Sequence, residues 1–141
     1  PSTAYLMLNL MEGVVNEGTS QRLRRQGLLY GNLKADIAGK TGTTQNQSDG
    51  WFMGVTPELV TGVWTGGELR SIHFEGLNMG QGANMALPVY GYFMNSLYRD
   101  KTLGYSEDTR FEMPEGFNKS LDCGNVSKDE SHTPVTDSDF F

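Results

Sequence analysis

Hydrophobic and polar residues follow a helical period at both ends of the segment 1–105. Apolar side chains at three- and four-residue steps predict one helix over residues 2–15, which Ser2 or Thr3 can cap, and a second over residues 83–99. Pro88 fits the second helix if it lies in the first turn. We expect the apolar stripe of the second helix to be buried in the core. That stripe consists of Leu87, Tyr90, Phe93, Met94, Leu97 and Tyr98.

Between the helices the helical period disappears and β-branched, aromatic and glycine residues take over. Three strands are predicted, over residues 35–43, 51–55 and 59–65. The short connections favour antiparallel pairing, because parallel strands need longer crossovers. We therefore predict an α+β fold, an antiparallel sheet of about three strands with a helix from each end of the chain packed on one face. Trp51, Phe52 and Trp64 are expected to pack in the core under the sheet.

The negative charge is concentrated at the C-terminal end of the chain. Residues 1–105 carry eight acidic and eight basic side chains, whereas residues 106–141 carry nine acidic and three basic ones and account for the whole net charge of −6. We expect a folded unit over residues 1–105 and an acidic tail over residues 106–141 that lies over the body and then becomes disordered. The acidic balance argues against nucleic acid as a partner. The arginines at positions 22, 24 and 25 are expected to lie on a solvated face.

Metal, thiol and membrane functions have little support in the sequence. Cys123 is the only cysteine, so an internal disulfide is excluded, and its distance from His73 along the chain disfavours a catalytic thiol. His73 and His132 lack the spacing of metal ligands, so we expect no metal site and no cofactor. No apolar run reaches the length that spans a membrane.

The residues with the most chemical potential lie in the stretch Lys40–Thr44, Lys-Thr-Gly-Thr-Thr, where one cation and three hydroxyl groups follow each other on a predicted strand. A phosphate loop would need a glycine in place of Lys34 and a helix directly after Thr41, and the sequence has neither. So many polar groups are unfavourable in a core. They suit an exposed strand edge that binds an anionic, peptide-like ligand.

With its flanking residues, this stretch resembles the C-terminal part of the transpeptidase domain of class A penicillin-binding proteins. The resemblance rests on residues 39–44, on residues 49–57, which read Asp-Gly-Trp-Phe-Met-Gly-Val-Thr-Pro, and on residues 59–64. It extends over roughly residues 1–100 and excludes the acidic tail. The resemblance implies a fragment of the serine β-lactamase/transpeptidase-like fold. It also implies a role in peptidoglycan cross-linking at the extracytoplasmic, periplasmic face of the bacterial inner membrane.

The resemblance implies a role for each residue of the Lys40 strand. Lys40 would belong to the catalytic site, where it supplies positive potential and orients hydroxyls around the nucleophilic serine. Thr41 and Thr43 would hold the terminal carboxylate of the substrate, and the Thr43 N–H would be one donor of the oxyanion hole. Gly42 would leave room for the substrate. The implied ligands are the D-Ala-D-Ala end of a peptidoglycan stem peptide and β-lactams.

Two motifs of that family are absent from this sequence. Neither Ser-x-x-Lys nor Ser-x-Asn occurs, and the nearest match begins at Ser96 and ends in Arg99. We expect the membrane anchor and the glycosyltransferase domain that precede this region in the family to lie outside these 141 residues. We therefore expect a soluble segment that does not acylate by itself. Its partner would be the missing N-terminal part of the same protein, whose anchor would be the only link to the membrane.

Two alternatives to the transpeptidase remain open. A serine β-lactamase-related hydrolase shares Lys-Thr-Gly on a strand. A non-catalytic module could use the same sheet edge to bind a cell-wall peptide or a partner strand. The residues 51–57 and the long acidic tail favour the transpeptidase.

Overall fold

The computed structural model describes residues 1–121. Cys123, His132 and the end of the predicted tail lie outside the described residues. The helices are α1 (Ser2–Asn16), α2 (Leu77–Gly80) and α3 (Gly82–Arg99), and the strands are β1 (Ala38–Thr43), β2 (Asp49–Val55) and β3 (Val60–Gly66). Short 3-10 turns lie at Gln21–Leu23, Gln45–Gln47 and Lys101–Leu103.

The sheet is an antiparallel meander in the order β1-β2-β3, which confirms the predicted α+β architecture. β1 begins at Ala38 and not at residue 35, because Ala38 pairs with Val55, the last residue of β2. The turn over residues 56–59 that follows β2 offers no further ladder partner. β1 is consequently an edge strand of the described sheet.

An aromatic contact at the centre of the sheet joins β2 to α3. Phe52 and Tyr90 are both fully buried, and their rings meet edge to face with centroids 4.7 Å apart. The strand positions around them are glycines: a Cβ on Gly54 would lie 2.5 Å from the Tyr90 ring, and one on Gly50 would lie 3.1 Å from Met85. α3 can approach the sheet this closely because those positions carry no side chain.

The opposite face of the sheet is exposed, so the prediction for the two tryptophans is wrong. Trp51 and Trp64 pair across β2 and β3 and remain 43 % and 48 % exposed, whereas Phe52 is buried as predicted. Successive side chains point to opposite faces of a strand, so Trp51 and Phe52 cannot both face α3. Only the face toward α3 is a core face.

The two long helices pack on different parts of the sheet. α3 packs against all three strands, whereas α1 packs against β1, and its Val15 belongs to the same buried cluster as Phe52 and Tyr90. Val15 is the one fully buried residue of α1, and Met7 and Leu10 are exposed. Neither predicted cap is used, because the helix already begins at Ser2 with Pro1 at its N-cap position.

α3 follows its predicted stripe with one exception. Leu87, Tyr90, Met94, Leu97 and Tyr98 are buried, but Phe93 is 46 % exposed because it turns away from the sheet. Pro88 lies in the second turn, since the helix begins at Gly82. The short α2 was not predicted, because four residues are too few to show a period.

Arg24 is a structural residue and does not belong to a solvated face. Its Nη1 donates to the carbonyl oxygens of Leu33 and Ala35 at 2.9 and 2.7 Å, and its Nε donates to Asn16 Oδ1 at 3.0 Å. Burial lowers the pKa of the guanidinium below its ordinary value. Arg24 thereby ties the end of α1 to the segment that leads into β1.

The first part of the acidic segment, residues 106–121, contacts the body. The Lys34 N–H donates to Glu107 Oε1 at 3.1 Å, and the Phe111 N–H donates to Asp36 Oδ2 at 3.1 Å. Both contacts fall on residues directly before β1. They add support to the segment that positions the edge strand.

Asp49 fixes the hairpin between β1 and β2. Its Oδ2 accepts from the hydroxyls of Thr44 and Ser48, both at 3.1 Å, and its Oδ1 accepts from Trp64 Nε1 at 3.1 Å. Burial raises the pKa of this carboxyl, but the hydrogen bonds outweigh burial and hold the pKa below its ordinary value of 3.8. The carboxylate form of Asp49 therefore stabilises the turn that follows Thr43.

We expect Gly54→Ala to destabilise the fold by about 1–3 kcal/mol, because the new Cβ would lie 2.5 Å from the ring of the fully buried Tyr90. The control is Gly13→Ala in α1, where a Cβ meets nothing within 4 Å. That variant should be neutral or gain up to about 1 kcal/mol of helix propensity. Urea unfolding of both variants measures the difference, and equal stabilities would contradict the packing described for Tyr90.

We expect Asp49→Asn to lower stability at neutral pH but not at low pH. An amide can accept from Trp64 or from the two hydroxyls, but it cannot accept on both sides. Because the folded-state pKa of Asp49 is depressed, its contribution is present above the ordinary value of 3.8 and is lost as pH falls through the folded-state value. The Tm difference between wild type and variant should therefore shrink below about pH 4. A difference that is constant from pH 7 to pH 3 would count against the carboxylate clamp.

Candidate functional site

The four predicted site residues lie together on the edge strand β1. The register pairs Lys40 with Met53, which places Lys40 on the exposed face of the sheet. Thr41 and Thr43 pair with Phe52 and Gly50 and belong to the face toward α3. The cation and the hydroxyls therefore lie on opposite sides of one strand, and a ligand can reach both only along the strand edge.

Lys40 is exposed and its ammonium group has one backbone acceptor. Nζ donates to the carbonyl oxygen of Thr41 at 2.9 Å. Within residues 1–121, no carboxylate forms an ion pair with Lys40. An ammonium group has three N–H donors, so two remain for an anionic ligand.

The hydroxyl of Thr41 lies beside the turn that follows α1. Its Oγ1 is 3.4 Å from Oγ1 of Thr19, and either oxygen can donate. Thr19 was not identified from the sequence, where Gly18 and Thr19 indicated only a turn. The contact brings a second hydroxyl to the edge that carries Thr41.

The hydroxyl of Thr43 contacts the beginning of α3. Oγ1 accepts a hydrogen bond from the Gly82 N–H at 3.0 Å. Gly82 was not identified from the sequence either. The only signal was that Gly80-Gln81-Gly82 failed to match a dinucleotide-binding fingerprint, and this gave no reason to connect Gly82 with Thr43.

Gly42 occupies the position between the two threonines and pairs with Trp51. A Cβ at residue 42 would lie 3.2 Å from Cβ of Trp51, which is a tight contact. The backbone at Gly42 is also the place where Gly82 of α3 approaches the strand. Glycine at this position therefore has a packing reason that is independent of any ligand.

A cavity of about 460 Å³ lies at the hairpin end of the sheet. Its walls are mainly apolar, from Ile72, Phe74, Met79 and Met85, and His73 also lines it. None of the four predicted site residues lines this cavity. The predicted site lies on the edge of the sheet, apart from this cavity.

Two further findings concern metals and membranes. Among the residues that the structure describes, no group of three or more His, Cys, Asp or Glu side chains could hold a metal ion. None of the helices within residues 1–121 is both long and apolar enough to cross a membrane.

Comparisons with known proteins give the relatives of this chain. No family model matches it. Penicillin-binding protein 1A of Neisseria meningitidis serogroup B is 34 % identical over 117 residues, which are 82 % of this chain and 13 % of the relative. Penicillin-binding protein 1A of Pseudomonas aeruginosa is 34 % identical over 102 residues, which are 72 % of this chain and 11 % of the relative.

A solved structure agrees with these relatives. The crystal structure of penicillin-binding protein 1A from Haemophilus influenzae aligns with a TM-score of 0.60 and 22 % sequence identity over 80 % of this chain and 16 % of that one. This chain therefore spans only a small part of the proteins that it matches. It is homologous to penicillin-binding protein 1A over most of its length and belongs, as a segment, to the class A penicillin-binding proteins.

Proposed function

We propose that this chain is the segment of a peptidoglycan D,D-transpeptidase that supplies the substrate-binding edge strand. The observation that carries the proposal is the composition of β1. An exposed Lys40, without a carboxylate partner among the described residues, shares one strand edge with the hydroxyls of Thr41 and Thr43. This strand belongs to a chain homologous to penicillin-binding protein 1A.

The substrate would bind as an additional strand along β1. Backbone hydrogen bonds to the edge would hold an extended stem peptide, and the charged and hydroxyl groups would select its D-Ala-D-Ala end. Lys40 would supply positive potential that attracts the terminal carboxylate and would orient hydroxyls around the serine, and Thr41 and Thr43 would donate hydrogen bonds to the carboxylate. Gly42 would keep the edge free of a side chain. The Thr43 N–H would stabilise the oxyanion.

The nucleophile in this scheme lies outside this chain. A serine Oγ would attack the penultimate D-Ala carbonyl, the peptide C–N bond would break, and the terminal D-Ala would leave. An amine of a neighbouring stem peptide would then attack the acyl-serine ester and release the serine. β-Lactams would acylate the same serine. The reaction would take place on the extracytoplasmic side of the bacterial inner membrane, and the rest of the penicillin-binding protein would be the partner of this segment.

Two other functions use the same strand edge. A β-lactamase-related hydrolase would resolve the acyl-enzyme with water, and this alternative again needs a nucleophilic serine in a Ser-x-x-Lys motif, which the sequence does not contain. A binding module would hold a cell-wall peptide reversibly without any chemistry. Homology to penicillin-binding protein 1A favours the transpeptidase segment over both.

We expect Lys40→Met to weaken binding of N-acetyl-D-alanyl-D-alanine to the 141-residue chain by about tenfold, on the order of 1.4 kcal/mol for a lost charge-assisted hydrogen bond. The matched control is Lys101→Met, because Lys101 lies in an exposed turn after α3. NMR titration of amide resonances measures both affinities and locates the contact. Equal weakening by the two variants would indicate a nonspecific charge effect and would contradict a site at Lys40.

We expect that the chain alone does not react covalently with a fluorescent penicillin, because the sequence contains neither Ser-x-x-Lys nor Ser-x-Asn. The measurement is a denaturing gel after heating, with a complete penicillin-binding protein 1A as the positive control. A labelled band of the 141-residue chain that survives heating would show a nucleophile within it.

A further inference from the structure

The first turn of α3 lies directly on the backbone of the proposed binding edge. A Cβ on Gly82 would overlap the carbonyl oxygen of Gly42 and would lie 2.6 Å from the carbonyl oxygen of Trp51. Gly42 and Trp51 are a register pair of β1 and β2, so Gly82 sits over one rung of the ladder. Any side chain at residue 82 would push the start of α3 away from β1.

The close approach allows one hydrogen bond, from the Gly82 N–H to Oγ1 of Thr43 at 3.0 Å. α3 has no side-chain cap of its own, since its N-cap residue Gln81 makes no capping bond. The first N–H groups of a helix lack intrahelical partners, so the hydroxyl of Thr43 satisfies one of them from another element. Thr43 is thus both a proposed ligand contact and a cap for α3.

The direction of this hydrogen bond is determined by its donor. A backbone N–H can only donate, so Oγ1 must be the acceptor. The single hydroxyl proton is then free for another partner, and accepting one hydrogen bond strengthens the next one that the hydroxyl donates. Thr43 is exposed at the strand edge, so its proton is available to a ligand.

We propose that Gly82 is a positioning residue: its N–H occupies one acceptor site of the Thr43 hydroxyl and leaves the hydroxyl proton to the ligand, which favours a carboxylate or carbonyl oxygen there. A ligand group that itself donates, such as a primary amide N–H, would have to share the Thr43 oxygen with the Gly82 N–H and would leave the hydroxyl proton without a partner. The inference rests on the proposed function, because it concerns the same edge. It adds a residue from α3, on a different element, to that site.

The test compares two probes on the 141-residue chain by NMR titration: N-acetyl-D-alanyl-D-alanine and the same dipeptide with a C-terminal carboxamide. The quantity measured is the ratio of the two affinities. In wild type the carboxylate probe should bind at least several-fold more tightly. Thr43→Ser should keep this ratio because it keeps the hydroxyl, whereas Thr43→Val should lower it. Lys40 is unchanged in all of these variants. Its contribution to the affinity ratio is therefore the same in each and cancels when the variants are compared.

The decisive variants alter Gly82. Gly82→Ala should lower the ratio by moving the start of α3, but this change could also disturb folding. An amide-to-ester replacement at residue 82, made by chemical ligation, removes the N–H and adds no side chain. We expect it to lower the carboxylate-to-carboxamide ratio at least threefold. The matched control is the same replacement at residue 84, which removes the bond from the Asn84 N–H to the Gln81 carbonyl oxygen in the same helical turn.

The outcomes separate the inference from the function that it builds on. If the carboxylate probe binds along residues 40–43 but the ester at residue 82 leaves the ratio unchanged, the role of Gly82 is refuted and the proposed function stands. If the esters at residues 82 and 84 lower the affinity ratio equally, the role of Gly82 is also refuted, because a weakened helix would then explain both decreases. If neither probe binds at that edge in wild type, the proposed function and the role of Gly82 fail together.

Discussion

The contact between α3 and the glycine-rich face of the sheet is the constraint on which the rest of the structure depends. Tyr90 can reach Phe52 only because Gly54 leaves its ring enough space. The same close packing brings the first turn of α3 onto β1, where Gly82 reaches Thr43. The distance between α3 and the sheet therefore determines the geometry at the exposed edge of β1. A helix placed further from the sheet would lengthen the bond to Thr43.

The proposed site is supported from three directions. The Gly82 N–H of α3 donates to Thr43, Thr19 approaches Thr41 from the turn after α1, and Asp49 holds the hairpin directly after the strand. Each contact comes from a different element and each acts on a hydroxyl group. An edge strand without such supports would flex, and its hydroxyls would rotate freely. Here the bond from Gly82 restricts the direction of the Thr43 hydroxyl before any ligand binds, which lowers the entropy lost on binding.

The same packing explains why several apolar residues are exposed. α3 covers one face of the sheet, and strand alternation sends Trp51 and Trp64 to the other face. Phe93 points away from the sheet because the buried stripe of α3 is narrower than its run of apolar residues. Hydrophobicity alone could not separate the buried members of these runs from the exposed ones. Their burial depends on which elements meet.

The sequence by itself determined the element types, the antiparallel meander and the residues of the edge strand. Periodicity and short connections are local properties, so the three strands and the two long helices could be predicted from them. The Lys40–Thr44 stretch could be identified because so many adjacent polar groups are unfavourable in a core. The observed boundaries differ from the predicted ones in two places. β1 begins only at Ala38, because the residues before it have no ladder partner, and α3 begins one residue earlier than predicted, at Gly82.

Only the tertiary structure decided which face of the sheet is buried, that α1 packs beside β1, and that Arg24 is bonded to backbone carbonyls. It also decided that Gly82, thirty-nine positions after Thr43 in the chain, contacts its hydroxyl. The physical reason is the same in each case. These features depend on the distance between elements that are remote in sequence, and local patterns of polarity carry no information about that distance.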